Sequence, residues 1–366
     1  MPRNTVLLFP GQGAYIPGAL EALRRELPEL RLAFEEVDAV AAEAGLASVS
    51  DVLASSPRLD RLLLDEPPHI LQLTLYASAV GMHRALVAQG LRPATLVGHS
   101  LGEIAALVCG GAFSFAEGAQ IVLRRTVVVE GANPGGAMLA VGHTRELVQR
   151  IIDLVGDPDA VVAVENGPRQ TVVSGSDNGL AAVESIGKTL RIPVVRLRSP
   201  FPFHSPLLAE ASRQLASQLD HLRQRPLTTP VYSPILGRYY TEGDRLTHAL
   251  AAHLTQPVRF STALTSLRAA GADLFVEAGI GDALTKLVRA SGPYSDAVAC
   301  VEGRGDHAAS FARAVEQLAE LGVVDTGVAS DVLSEWSTMG KVAEYVLASL
   351  TSGTTRVATA NGQANV

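Results

Sequence analysis

Apolar positions along this chain follow two periods. Thr5-Val-Leu-Leu-Phe9 is a short continuous apolar run that ends at Pro10 and a Gly-Gln-Gly turn, which reads as a buried strand. From Leu20 to Leu32 apolar residues recur at spacings of three and four, the period of one helix. The stretch from about Ile70 to Gln89 is helical and apolar nearly all round, as in a helix buried in a core. Ala94-Thr-Leu-Val97 is a second buried strand. Gly98-His-Ser-Leu-Gly102 turns it at once into a helix that runs to Cys109 and stops at Gly110-Gly111. Strand, sharp turn and helix make the βα unit of a parallel sheet.

The middle of the chain changes character. Strands are predicted over Ala137–Val141, Val161–Val164, Gln170–Ser174 and Pro193–Leu197, with helices over Thr144–Val155 and Asn178–Leu190. That order, βαββαβ, is the ferredoxin-like arrangement. A further buried strand, Asp273–Glu277, closes at Ala278-Gly-Ile-Gly281, and a helix follows from about His307 to Leu321. The fold class expected is α/β, a large hydrolase-like domain on a parallel sheet (1–134 and 199–328) with an inserted ferredoxin-like subdomain (135–198). The remaining 329–366 would hold an amphipathic stretch, Val332–Leu350, and a Ser/Thr/Ala/Gly/Asn-rich tail too poor in apolar residues to order itself.

Composition narrows the class. The 366 residues are 47% hydrophobic and 18% charged, with a net charge of −7, which fits a large core and argues against nucleic acid or an anionic membrane as a general partner. The apolar stretches break before the ~18 residues of a membrane span, and the N-terminal apolar run is too short for a signal peptide. Cys109 and Cys300 cannot make a disulfide framework or a cysteine-based zinc site. The expectation is a cytoplasmic protein without a structural metal.

Gly98-His-Ser-Leu-Gly102 fits Gly-x-Ser-x-Gly. In that pattern a serine is held at a strained strand-to-helix turn, with its hydroxyl exposed where backbone N–H groups can bind an oxyanion. Ser100 is therefore a candidate nucleophile, and it needs a base within hydrogen-bond reach. His99 adjoins it but should point elsewhere on the turn, a structural place. His204, in Phe201-Pro-Phe-His-Ser-Pro206, leaves the last strand of the subdomain. From spacing alone it stands open between a catalytic base and a surface-loop histidine.

Four segments occur in a fixed order: Gly11-Gln-Gly13, Gly98-His-Ser-Leu-Gly-Glu103, Phe203-His-Ser-Pro206 and Glu277-Ala-Gly-Ile-Gly281. Together they resemble the malonyl-CoA:acyl carrier protein transacylase family, which includes the acyltransferase domains of polyketide and fatty acid synthases. The resemblance covers about residues 5–325 and implies the same inserted subdomain. It implies Ser100 as the nucleophile that becomes an acyl-serine and His204 as general base and then acid, with no third carboxylate. The histidine would be oriented by a backbone carbonyl near Gln256, where the family usually has Asn. Gln12 and the N–H of Leu101 would form the oxyanion hole. Arg125, rather than its neighbour Arg124, would pair with the free carboxylate of malonate. Asn166 matches a position kept near the site, with a structural role.

The resemblance also has departures. Malonyl-selective domains commonly read His-Ala-Phe-His before and at the catalytic histidine, whereas this chain has Phe201-Pro202-Phe203-His204. Phe203 keeps the bulk that crowds an α-methyl branch, and Leu101 is nearer the malonyl type. Phe201 and Pro202 match neither that pattern nor the Tyr-Ala-Ser-His common in methylmalonyl-selective domains, and Tyr15 and Thr126 are further departures from the family. His99, Phe201, Phe203, Arg125 and Gln256 are taken as the substrate's surroundings. The activity implied is transfer of an acyl group, malonyl first, from CoA to the phosphopantetheine thiol of an acyl carrier protein, in trans and in polyketide biosynthesis, with no tightly bound cofactor. The alternatives are a different acyl group, an editing thioester hydrolase, or a non-catalytic carrier-binding protein. An acidic carrier would need a local basic face, for which Arg191, Arg196 and Arg198 are candidates.

Overall fold

The computed structural model describes residues 3–12, 16, 18–55, 66–292, 295–303 and 306–324. Val332–Leu350, the tail beyond it and Tyr15 lie outside them. Eleven strands are described: β1 (Thr5–Phe9), β2 (Thr95–Gly98), β3 (Ala137–Val141), β4 (Val161–Gly167), β5 (Gln170–Gly175), β6 (Val194–Arg196), β7 (Val231–Ser233), β8 (Arg238–Tyr239), β9 (Val258–Arg259), β10 (Leu274–Glu277) and β11 (Asp296–Ala299).

Six of them form one sheet in the order β11-β10-β1-β2-β7-β8. Every neighbouring pair is parallel except β7 with β8. β1 and β10 are fully buried, as expected of parallel strands covered on both faces, and this is why they read as continuous apolar runs. The helix Pro68–Ala88 is sunk into this body, with every residue from His69 to Met82 buried. The single helix expected over Leu20–Leu32 is instead two, Ala19–Glu26 and Pro28–Glu43. Pro28 disfavours helical geometry in the residue before it, and Leu27 is extended at φ −111°, ψ 103°.

The inserted segment forms the antiparallel sheet β6-β3-β5-β4, with β9 added alongside β4 in parallel. Its helices, Arg145–Val155 and Asp177–Thr189, lie on one face. Strand alternation divides the side chains. Leu139, Val141 and Val173 pack with Val148, Ile152, Leu180 and Val183 in a small core of their own. Met138, Val164 and Val172 point the other way and join the main core. The subdomain is thus a sheet with helices on one side and the large body on the other. β9 ties the two together through Val164–Val258 and Glu165–Arg259.

Candidate active site

β2 delivers the chain into the turn that carries Ser100, and the helix Gly102–Cys109 leaves it. Ser100 sits at φ 56°, a left-handed conformation that costs a non-glycine residue ~1–2 kcal/mol and holds its hydroxyl off the turn. Gly98 and Gly102 make the turn possible. A Cβ on Gly98 would lie 2.1 Å from the Glu103 nitrogen, and one on Gly102 would lie 2.0 Å from the Phe9 carbonyl oxygen.

His204, also left-handed at φ 61°, comes from the segment after β6. Its Nε2 stands 2.8 Å from Ser100 Oγ. Its Nδ1 stands 2.8 Å from the carbonyl oxygen of Gln256, which can only accept. Nδ1 therefore carries the proton in the neutral ring, and Nε2 is left to accept the serine O–H. Burial first, then the positive charge of Arg125, push the His204 pKa down to about 3. The imidazole is neutral at pH 7 and able to act as a base.

A cavity of about 360 Å³ opens beside this pair. Its walls come from the β1 turn (Pro10, Gly11, Gln12), the open face of the small sheet (Met138, Ala140, Val164, Val172), Phe203, and the helix Ala283–Ala290. Ser100, His204 and Gln12 share this cavity. The Leu101 N–H follows the serine and donates to no backbone carbonyl among the described residues.

Arg125 projects inward from the helix Phe115–Ala132 and is buried, whereas Arg124 reaches Gln218 on the exposed side. The Arg125 guanidinium lies 4.5 Å from the Phe203 ring centroid, and its Nη1 donates to Gln72 Oε1 at 2.7 Å. No carboxylate is paired with it among the described residues. Burial lowers its pKa to about 10, so it remains charged at neutral pH. Gln72 escaped the sequence reading. A lone amide in the apolar stretch Ile70–Leu75 was the available signal.

Residues 6–322 match the family model for the acyl transferase domain. The chain belongs to the acyl transferase domain family. It is 29% identical over 294 residues to the malonyl CoA-acyl carrier protein transacylase of Bacillus subtilis strain 168, covering 77% of this chain and 88% of that one. It is 30% identical over 288 residues to a spectinabilin polyketide synthase protein of Streptomyces orinoci, covering 78% of this chain. The chain spans only 8% of that protein's length and 13% of a second spectinabilin synthase protein's. Among solved structures, the acyltransferase domain from the second module of the salinomycin polyketide synthase superposes with a TM-score of 0.81 at 26% identity, covering 90% of this chain and 76% of that one. A type II polyketide malonyl-transacylase solved with its acyl-carrier protein gives 0.77 at 25% identity, covering 86% and 99%.

The other residues singled out in this member of the family fall into place by contact. His99 lines the cavity and its Nε2 lies 2.8 Å from Asn166 Oδ1, tying the serine turn to β4. Phe201 lies edge-on to Phe203 at 5.8 Å, behind the cavity wall. Gln256 contributes its carbonyl, and its side chain is exposed. Thr126 is buried and bonds back to the Val122 carbonyl. The three arginines separate: Arg196 pairs with Asp177, Arg191 is exposed, and Arg198 lines the cavity. Glu277 ends β10 and accepts from the N–H groups of Leu284 and Thr285, fixing the helix whose Ala283, Leu284 and Leu287 wall the cavity. Both cysteines are free, and burial pushes their thiol pKa values up. No described helix is long and apolar enough to cross a membrane.

Proposed function

We propose that this acyl transferase moves a malonyl group from CoA to the phosphopantetheine thiol of an acyl carrier protein by way of an acyl-serine. The observation that carries the reading is the chain of two 2.8 Å contacts, Ser100 Oγ to His204 Nε2 and His204 Nδ1 to the Gln256 carbonyl. In the first half-reaction Ser100 Oγ attacks the thioester carbon as its proton passes to His204 Nε2. The tetrahedral oxyanion is held by the Leu101 N–H and Gln12. The C–S bond then breaks, and the CoA sulfur leaves with the proton from Nε2. In the second half-reaction the carrier thiol gives its proton to Nε2 and attacks the acyl-serine, and Ser100 Oγ leaves reprotonated. A neutral carbonyl behind the histidine fixes its tautomer without lending it charge.

Arg125 supports the choice of a dicarboxylic acyl group. A buried guanidinium without a carboxylate is an incomplete pair, and a malonyl carboxylate would complete it in bidentate fashion. Phe203, stacked on that guanidinium, crowds the space where an α-methyl branch would lie. The malonyl transacylase and polyketide relatives support the same substrate and the same kind of partner. The proposal calls for no tightly held cofactor.

Incubation with malonyl-CoA followed by intact mass tests the reading, with a separately expressed carrier protein added in trans. The expected result is a malonyl adduct that disappears in Ser100→Ala and is passed to the carrier. Arg125→Ala is expected to lower kcat/KM for malonyl-CoA by about 100-fold, the order of a lost charged contact of ~3 kcal/mol, and to spare a neutral acyl-CoA. Equal losses on both substrates would remove the assigned role of Arg125. Release of free acid without a carrier would mark a hydrolase.

A further inference from the structure

Beneath the serine turn lies a buried polar cluster that the transfer steps do not use. Glu103, in the first turn of the helix Gly102–Cys109, has no exposed surface, and its N–H donates to the Ser100 carbonyl at 2.9 Å. Its Oε1 accepts the Tyr240 O–H at 2.7 Å. His253 Nε2 lies 3.5 Å from the same oxygen and 3.4 Å from Tyr240 Oη. Glu103 Oε2 is buried without a hydrogen-bond partner among the described residues. Tyr240 and His253 are buried as well.

A carboxylate in such a place is costly, and three apolar side chains of similar volume would fill the space at less cost. What a polar cluster adds is direction and a fixed separation. His253 caps the helix Leu246–Ala252. Next along the chain, the Leu254 carbonyl accepts the Ser205 N–H at 3.2 Å, and the Gln256 carbonyl holds His204 Nδ1 at 2.8 Å. The connections close into a ring. Ser100 leads to Glu103 along the helix start, Glu103 to His253 across the interior, and His253 to Gln256 along the backbone. Gln256 then leads to His204, and His204 back to Ser100. The reacting pair is one link of that ring.

We propose that Glu103, Tyr240 and His253 are positioning residues that set the separation between the nucleophile turn and the carbonyl that orients the base. This rests on the acyl-transfer reading of Ser100 and His204. Three further groups face His204: Arg125 from the helix Phe115–Ala132, His99 from the serine turn and His253 from the loop of this ring, each acting to lower its pKa.

Rapid-quench acylation by malonyl-CoA tests the proposal, with the wild type and Ser100→Ala as references. Tyr240→Phe, which removes one oxygen, is expected to lower kcat about tenfold and leave KM within about twofold. His253→Gln is expected to show the same fall. It should also move the acid limb of kcat/KM to somewhat higher pH, because one group that opposes His204 protonation is gone while burial and Arg125 still hold it low. Glu103→Gln keeps an acceptor for the Tyr240 O–H and is expected to retain more activity than Glu103→Ala. Folded variants, judged by circular dichroism, that acylate at the wild-type rate with the limb in place overturn the proposal. So does a loss that follows only the folded fraction. A wild type that forms no adduct overturns the acyl-transfer reading and takes the proposal with it.

Discussion

Ser100 and His204 both adopt left-handed backbone, and neither is glycine. Two residues that meet at 2.8 Å are thus each held in a conformation that costs ~1–2 kcal/mol. Ser100→Gly is therefore expected to stabilise the fold by about 1 kcal/mol, read as a higher urea midpoint at unchanged slope, while abolishing the acyl adduct. A lower midpoint would show that the serine's contacts outweigh its strain. At this scale the sequence was legible where chemistry coincides with a motif. Ser100 and Gln12 lie beside glycines whose missing Cβ can be inferred from pattern, and His204 and Arg125 followed from the family resemblance. Gln72 and the Glu103–Tyr240–His253 cluster were not legible, because their meaning comes from partners 53 and 137 positions away along the chain.

At the scale of elements, the small sheet separates folding from binding within single strands. On β3, Leu139 faces the small core and Ala140 faces the cavity. Leu139→Ala is expected to cost about 2–5 kcal/mol in unfolding free energy and to leave KM for malonyl-CoA unchanged. Ala140→Leu is expected to do the reverse, raising KM severalfold while Tm stays near the wild type. Both changes acting on Tm alone would contradict the assignment of faces. The βαββαβ order was readable because β3, β4 and β5 are five to seven residues long, enough for alternation to show. β7, β8 and β9 were not anticipated. At two or three residues, none of them completes a pattern, and tertiary pairing alone makes them strands. The Leu27–Pro28 break was present in the sequence and was overridden by the apolar spacing on either side.

Across the whole molecule, the site draws on both sheets, and buried titrating groups within it and elsewhere in the core report on global stability. Burial lowers His204 to about 3 and His83 to about 4, and raises Glu277 to about 7. For the histidines the native pKa lies below the unfolded value of ~6.5, so the unfolded chain binds the extra protons and their contribution is lost as pH falls below it. For Glu277 the native pKa lies above the unfolded value. Its contribution is complete at low pH and is lost as pH rises through 7. Near pH 5.5 His204 and His83 take up protons on unfolding, His69 and His99, also lowered by burial, act in the same direction, and Glu277 opposes them by releasing one. The urea midpoint is expected to drop between pH 7 and pH 5, and a rise would place the balance on Glu277.

The juxtaposition of Arg125 and His204 has one more consequence. Burial is the larger cause of the low His204 pKa, and the field of the Arg125 guanidinium adds to it. A malonyl carboxylate seated on Arg125 would cancel that field, and the imidazole would regain proton affinity as the cargo arrives. On the proposed malonyl reading, the charge of the incoming group strengthens the base that must act on it, while burial still holds that base below an ordinary imidazole and a neutral acyl group leaves it weaker.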